Sequence, residues 1–140
     1  MSIKEIQDEI VDEFSMFDDW MQRYEYIIEL GKSLPLIEEQ YKTEDNIIQG
    51  CQSKVWVHAE LQGDKVVFTA DSDAILTKGI IAILIRAFSN QKASAILDAN
   101  TDFIDEIGLK EHLSPTRANG LVSMIKKLKL YAVACSTKNG

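Results

Sequence analysis

From Ala74 to Phe88 apolar side chains cover almost the whole circumference of a helix, with Ile75, Leu76, Ile80, Ile81, Ile83, Leu84, Ile85 and Phe88 among them. A helix of that kind has no face to give to water and is covered on several sides, so the rest of the chain must surround it. Asp71-Ser72-Asp73 offers caps for its start. Gly79 lies inside it, where glycine costs about 1 kcal/mol relative to alanine, and this predicts a close backbone approach. The longest unbroken apolar run, between Lys78 and Arg86, is far short of the ~20 residues of a membrane span, so no membrane role is expected.

The covering elements follow from periodicity. From Ser53 the period is two: Val55, Val57, Ala59 and Leu61 share one face, and Trp56, His58 and Glu60 the other. Gln62-Gly63-Asp64-Lys65 is turn chemistry, and Val66, Phe68 and Ala70 resume the alternation, which predicts an antiparallel hairpin. Ile47-Ile48 is the candidate for a third, short strand. Ser2 with Glu5 forms a capping-box pattern ahead of Ile3, Ile6, Ile10, Phe14 and Phe17, predicting a first helix to about Ser15. Asp18-Asp19 caps a second with Trp20, Tyr24, Ile27 and Leu30 on one face, which Gly31 is placed to end. Residues 32 to 45 read as irregular around Pro35. Two shorter helical pieces are expected at about 92–99 and 101–107, the second stopped by Gly108. Ser114-Pro115 opens a last helix with Leu121, Met124, Leu128, Tyr131 and Cys135 on one face. The order is α+β: a small antiparallel sheet of about three strands packed against several helices, in one domain over 1–140.

The net charge of −7 excludes a chain built to hold phosphate backbones, and no nucleic-acid partner is expected. Residues 1–50 carry 13 acidic against 4 basic side chains. A solubilising helix face accounts for that excess, and a basic partner surface is the other reading. Met1 leads directly into a capped amphipathic helix and not into an apolar leader, so a cytoplasmic location is expected.

Chemistry concentrates at Gln49-Gly50-Cys51-Gln52-Ser53. Cys51 follows a glycine able to take φ > 0 and precedes two polar residues at the mouth of a strand, so its thiol sits on a tight loop where it can be presented. Cys135 continues an apolar helical stripe and reads as a small core residue. With no CxxC and no Cys/His cluster, no metal site is assigned and both thiols are expected to be free. Seven extended residues place His58 about 23 Å from Cys51, beyond reach of a Cys–His pair. His112 reads as a loop histidine and is the remaining candidate base. The pentapeptide around Cys51 echoes a caspase site but lacks the alanine before the cysteine and the glycine after the glutamine. Ile47, Ile48, Val55 and Trp56 bracket the loop with apolar surface, so the thiol can turn inward. A lone thiol without base, acid or cofactor suits a carrier. A Cys51–His112 hydrolase or acyltransferase, and an adaptor docking through its acidic helices, are the other classes.

These residues also carry a family likeness. Tyr24-Glu25-Tyr26-Ile27-Ile28-Glu29-Leu30-Gly31, Ile48-Gln49-Gly50-Cys51-Gln52-Ser53-Lys54-Val55-Trp56, Asp71-Ser72-Asp73-Ala74 with Lys78-Gly79, and Leu113-Ser114-Pro115-Thr116-Arg117 with Gly120-Leu121 occur in the order of the SufE family. The chain resembles that family over nearly its whole length. The resemblance implies a SufE/IscU-like α+β fold without the cluster scaffold's set of cysteines. It implies a sulfur acceptor, not an enzyme in its own right, that takes sulfur onto Cys51 as a persulfide. The donor would be a partner cysteine desulfurase of the SufS/CsdA kind holding pyridoxal phosphate, while this chain needs no cofactor. A downstream iron–sulfur scaffold complex would receive the sulfur, and the carrier would be a monomer or weak homodimer. Gly50, Gln52, Ser53, Asp73 and Arg117 would support the loop or meet the partner, with capping of the central helix a further role for Asp73.

Overall fold

The computed structural model describes residues 2–51 and 53–139, with the backbone alone at 138 and 139. Helices α1 (Ile3–Ser15) and α2 (Trp20–Gly31) lead, by two short 3-10 turns, into strands β1 (Val55–Gln62) and β2 (Lys65–Ser72). Helix α3 (Ile75–Phe88), strand β3 (Gln91–Lys92) and helices α4 (Ala93–Asp98), α5 (Asp102–Glu106), α6 (Leu109–His112) and α7 (Pro115–Asn139) complete the chain. The sheet is antiparallel in the order β1-β2-β3. This is the expected α+β architecture.

Local chemistry accounts for the early elements. Ser2 accepts from the Glu5 amide while the Glu5 carboxylate accepts from Ser2, closing the capping box of α1. Asp19 caps α2 through the Gln22 amide. Gly63, at φ +66°, turns the hairpin between Gln62 and Lys65. The resulting register sets Val57 against Ala70, Ala59 against Phe68 and Leu61 against Val66, so these six apolar residues share one face.

Helix α3 is the centre of the core. Ile80, Ile81, Ile83, Leu84 and Ile85 are all buried, each worth roughly 2 kcal/mol of transfer free energy. The close approach expected at Gly79 is present. A β-carbon there would overlap the Ile27 carbonyl, 2.7 Å from its carbon, and one on Gly31 would stand 3.0 Å from the Gly79 nitrogen. Helices α2 and α3 therefore cross glycine to glycine. Gly31 is the last residue of α2, but it is this crossing that needs it to be glycine.

Three expectations need correction. The third strand is Gln91–Lys92, not Ile47-Ile48: Asn90 takes a positive φ of 62°, its amide donates to the Val66 carbonyl at 2.7 Å, and the chain leaving α3 is turned onto β2. Ile47 makes only an isolated bridge to Trp56. Asp73 does not cap α3, whose N-cap position is Ala74 with no side-chain bond. Beyond Gly108, at φ +78°, a further short helix, α6, precedes the last one. Among the described residues no helix is long and apolar enough to cross a membrane.

Candidate functional site

The chain enters and leaves the Cys51 loop as two paired segments. The Ile48 amide donates to the Val55 carbonyl at 2.9 Å and Ile47 bridges Trp56, so 49–54 is closed at its base like a hairpin end. The outgoing side is tied to the start of α3. The Lys54 amide donates to Asp73 Oδ1 at 3.1 Å, the Asp73 amide to the Lys54 carbonyl at 3.2 Å, and Ser72 Oγ to that same carbonyl at 2.9 Å. Asp73 thus anchors the loop in place of the capping role. Gly50 turns the chain at φ +89°, and a β-carbon there would meet Ser123 Oγ at 2.8 Å, so the turn and the nearness of α7 both call for glycine.

Cys51 is half-buried. Its Sγ lies 3.7 Å from the Gly120 carbonyl oxygen, a weak S–H···O contact. A small recess of about 10 Å³, room for about one water-sized atom, is lined by Cys51 and Ser53, by Thr77 and Ile80 of α3, and by Arg117, Gly120 and Met124 of α7. Burial pushes the thiol's pKa up, since a thiolate loses hydration there. The resting group is therefore a protonated, weak nucleophile. Its cover comes from α3 and α7, and not from Ile47, Ile48, Val55 and Trp56, which do not line the recess.

The remaining candidates sort cleanly. Ser53 and Arg117 line the recess, with Arg117 exposed and its amide held by Ser114 Oγ at 3.3 Å. Gln52 lies outside the described residues. His112 is stacked on Trp20, ring centroids 4.0 Å apart, with Nδ1 3.0 Å from the Gly108 carbonyl oxygen. His58 is stacked on Tyr41 at 3.7 Å and paired with Glu60 at 3.1 Å. Neither histidine lines the recess. Cys135, on α7, is buried against the core. Among the described residues no group of three His, Cys, Asp or Glu side chains is placed to hold a metal ion.

Sequence reasoning missed Thr77, Ile80, Gly120, Ser123 and Met124. One signal was available. Gly120 sits inside a helix, where the cost that marks Gly79 applies equally. Arg117, Gly120 and Met124 are spaced three and four apart, so one face of α7 forms the lid over the thiol.

Several known proteins resemble this chain. The family model described as "SufE: Fe-S metabolism associated domain" matches residues 8–132. An uncharacterized SufE-like protein of Rhizobium meliloti (strain 1021) is 45% identical over 131 residues, covering 89% of this chain and 93% of the relative. SufE-like protein 1, chloroplastic/mitochondrial, of Arabidopsis thaliana is 38% identical over 131 residues, 93% of this chain but 35% of the plant protein. The solution structure of a hypothetical protein from Thermus thermophilus superposes with a TM-score of 0.79 at 21% identity, covering 94% of this chain and 96% of that one, a likeness of fold.

Proposed function

The chain belongs to the SufE family, a family associated with iron–sulfur metabolism, and from that premise we propose that it is a persulfide carrier acting through Cys51. The observation that carries the reading is the placement of Cys51. One thiol stands on a loop anchored at its base, half-buried under a glycine of α7, with neither histidine beside it. A site without a base has little to offer hydrolysis or acyl transfer, whereas thiol exchange needs only a thiolate with access.

In the proposed step the Cys51 thiolate attacks the terminal sulfur of a persulfide on a partner cysteine desulfurase. The new S–S bond joins that sulfur to Cys51, the partner's S–S bond breaks, and the electron pair leaves with the partner's cysteine as thiolate. No outside oxidant or reductant enters. The partner's pyridoxal phosphate supplies the earlier chemistry that frees sulfur from cysteine, and this chain works without a cofactor of its own. Removing the persulfide speeds the desulfurase, and Cys51 passes its sulfur on to an iron–sulfur scaffold complex. The carrier works in the cytoplasm as a monomer or weak homodimer. Because the resting thiol is covered and protonated, the partner must favour an outward loop through contacts made only with that form.

The test is direct. The protein is mixed with a cysteine desulfurase and free cysteine, and mass spectrometry under non-reducing conditions looks for added sulfur on the peptide holding Cys51. A gain of one sulfur that Cys51→Ser abolishes and Cys135→Ser preserves supports the reading. Sulfur acceptance that survives Cys51→Ser, or no gain at all, overturns it.

A further inference from the structure

Helix α3 borders a second cavity, of about 480 Å³, which shares no wall residue with the Cys51 recess. That volume is in the range of small-ligand sites, and its walls are chemically divided. One part is largely hydrocarbon: Ile6 and Ile10 of α1, Leu30 of α2, Leu34 beyond it, and Ala82 of α3, with Ser33 among them. The other is formed where β2 begins and β3 follows α3, and it presents Lys65, Ser89 and Asn90. Strand pairing brings these together, since Val66 lies opposite Gln91 and the Asn90 amide donates to the Val66 carbonyl.

The polar groups differ in how far they are already engaged. Arg86 also borders the cavity, but Glu13 holds its guanidinium through two bonds of 2.7 and 2.5 Å, so its charge is matched. Asp64, in the hairpin turn, is paired with Lys92 at 3.6 Å. Lys65 has no carboxylate partner among the described residues. Ser89 Oγ accepts from the Phe68 amide at 2.9 Å, which leaves its hydroxyl proton to donate elsewhere. A cation, a hydroxyl and a side-chain amide therefore border a cavity whose remaining lining is mostly apolar.

We propose that this cavity binds a small amphipathic carboxylate, its hydrocarbon body against Ile6, Ile10, Leu30 and Leu34 and its head at Lys65, Ser89 and Asn90. The head is an anion with acceptor oxygens, because Lys65 supplies the positive charge and Ser89 and Asn90 can each donate to it. The body is a hydrocarbon chain, because Ile6, Ile10, Leu30, Leu34 and Ala82 give it apolar surface to lie against, interrupted there only by Ser33.

The probes are hexanoate, octanoate and octanol, titrated into the full-length protein while backbone amide spectra are recorded. Octanoate is expected to shift the amides of Ile10, Leu34, Ala82, Ser89 and Asn90 saturably. It should bind more tightly than hexanoate, by up to roughly fourfold per added methylene. Octanol should bind more weakly than octanoate, and Lys65→Ala should weaken octanoate roughly two- to fivefold while keeping the chain-length dependence. Lys65 is exposed, so its truncation leaves the fold in place. Equal binding of octanoate and octanol, no effect of Lys65→Ala, shifts confined to other surfaces, or no saturable shift would each overturn the proposal.

Discussion

A β-carbon placed on Gly120 would stand 3.3 Å from the sulfur of Cys51. The thiol is seated because α7 carries no side chain at the point where it passes over the loop. Gly120→Ala sets two effects against each other: a gain of about 1 kcal/mol in helix propensity and crowding of the sulfur by a few tenths of an ångström. The expected result is stability within about 1 kcal/mol of the parent, with Cys51 displaced outward and alkylated faster. Denaturant melts and the rate of iodoacetamide labelling at Cys51 measure both. An unchanged labelling rate would show that Gly120 does not hold the thiol.

Gly79→Ala is expected to be far more damaging than the change at Gly120. The added methyl would overlap the Ile27 carbonyl, which is backbone and cannot rotate away, so α2 and α3 must separate. A loss of about 3 kcal/mol or more is expected. Gly31→Ala, whose nearest contact is the Gly79 nitrogen at 3.0 Å, should cost less. Equilibrium unfolding of both variants checks the order, and equal losses would contradict the glycine-on-glycine crossing.

Asp73 accepts the Lys54 amide and so holds the outgoing side of the Cys51 loop. Asp73→Ala removes the acceptor and is expected to cost about 1 kcal/mol and to raise the labelling rate of Cys51. Asp73→Asn retains an acceptor oxygen and should behave close to the parent. If alanine and asparagine are equally labile, the residue acts by its charge and not by this bond.

The Arg86 guanidinium beside Glu13 holds that carboxyl below its ordinary value of 4.5, with burial opposing and the Tyr26 hydroxyl assisting. A folded pKa below the unfolded one means the charged form is favoured by folding. The stabilisation is fully present above the unfolded value and is lost as pH falls through the folded one. Glu13→Gln should therefore flatten the acid limb of the stability curve below about pH 5, measured by urea melts at a series of pH values. A parallel curve for the variant would show that the pair contributes nothing pH-dependent.

Sequence by itself determined what depends on local repetition. The period of two set the hairpin and which of its faces is apolar, and Gly63 set its turn. The nearly complete apolar circumference of α3 made it the centre, and the cost of a glycine inside it announced the crossing at Gly79. Cys51 stood out because its neighbours are those of a tight loop at a strand's mouth.

Only the tertiary structure decided what depends on partners distant in the chain. A strand of two residues has no period to read, so β3 came into view only through its pairing with Lys65 and Val66. Asp73 faces a choice between capping forward and anchoring backward that spacing alone leaves open, and the Lys54 amide takes it. The thiol's cover comes from Gly120, 69 residues further along. Such a contact leaves no trace in local propensity, because each segment would read the same whether or not the other lay against it. The burial that raises the thiol's pKa belongs to that contact, and so does the resting state of the site.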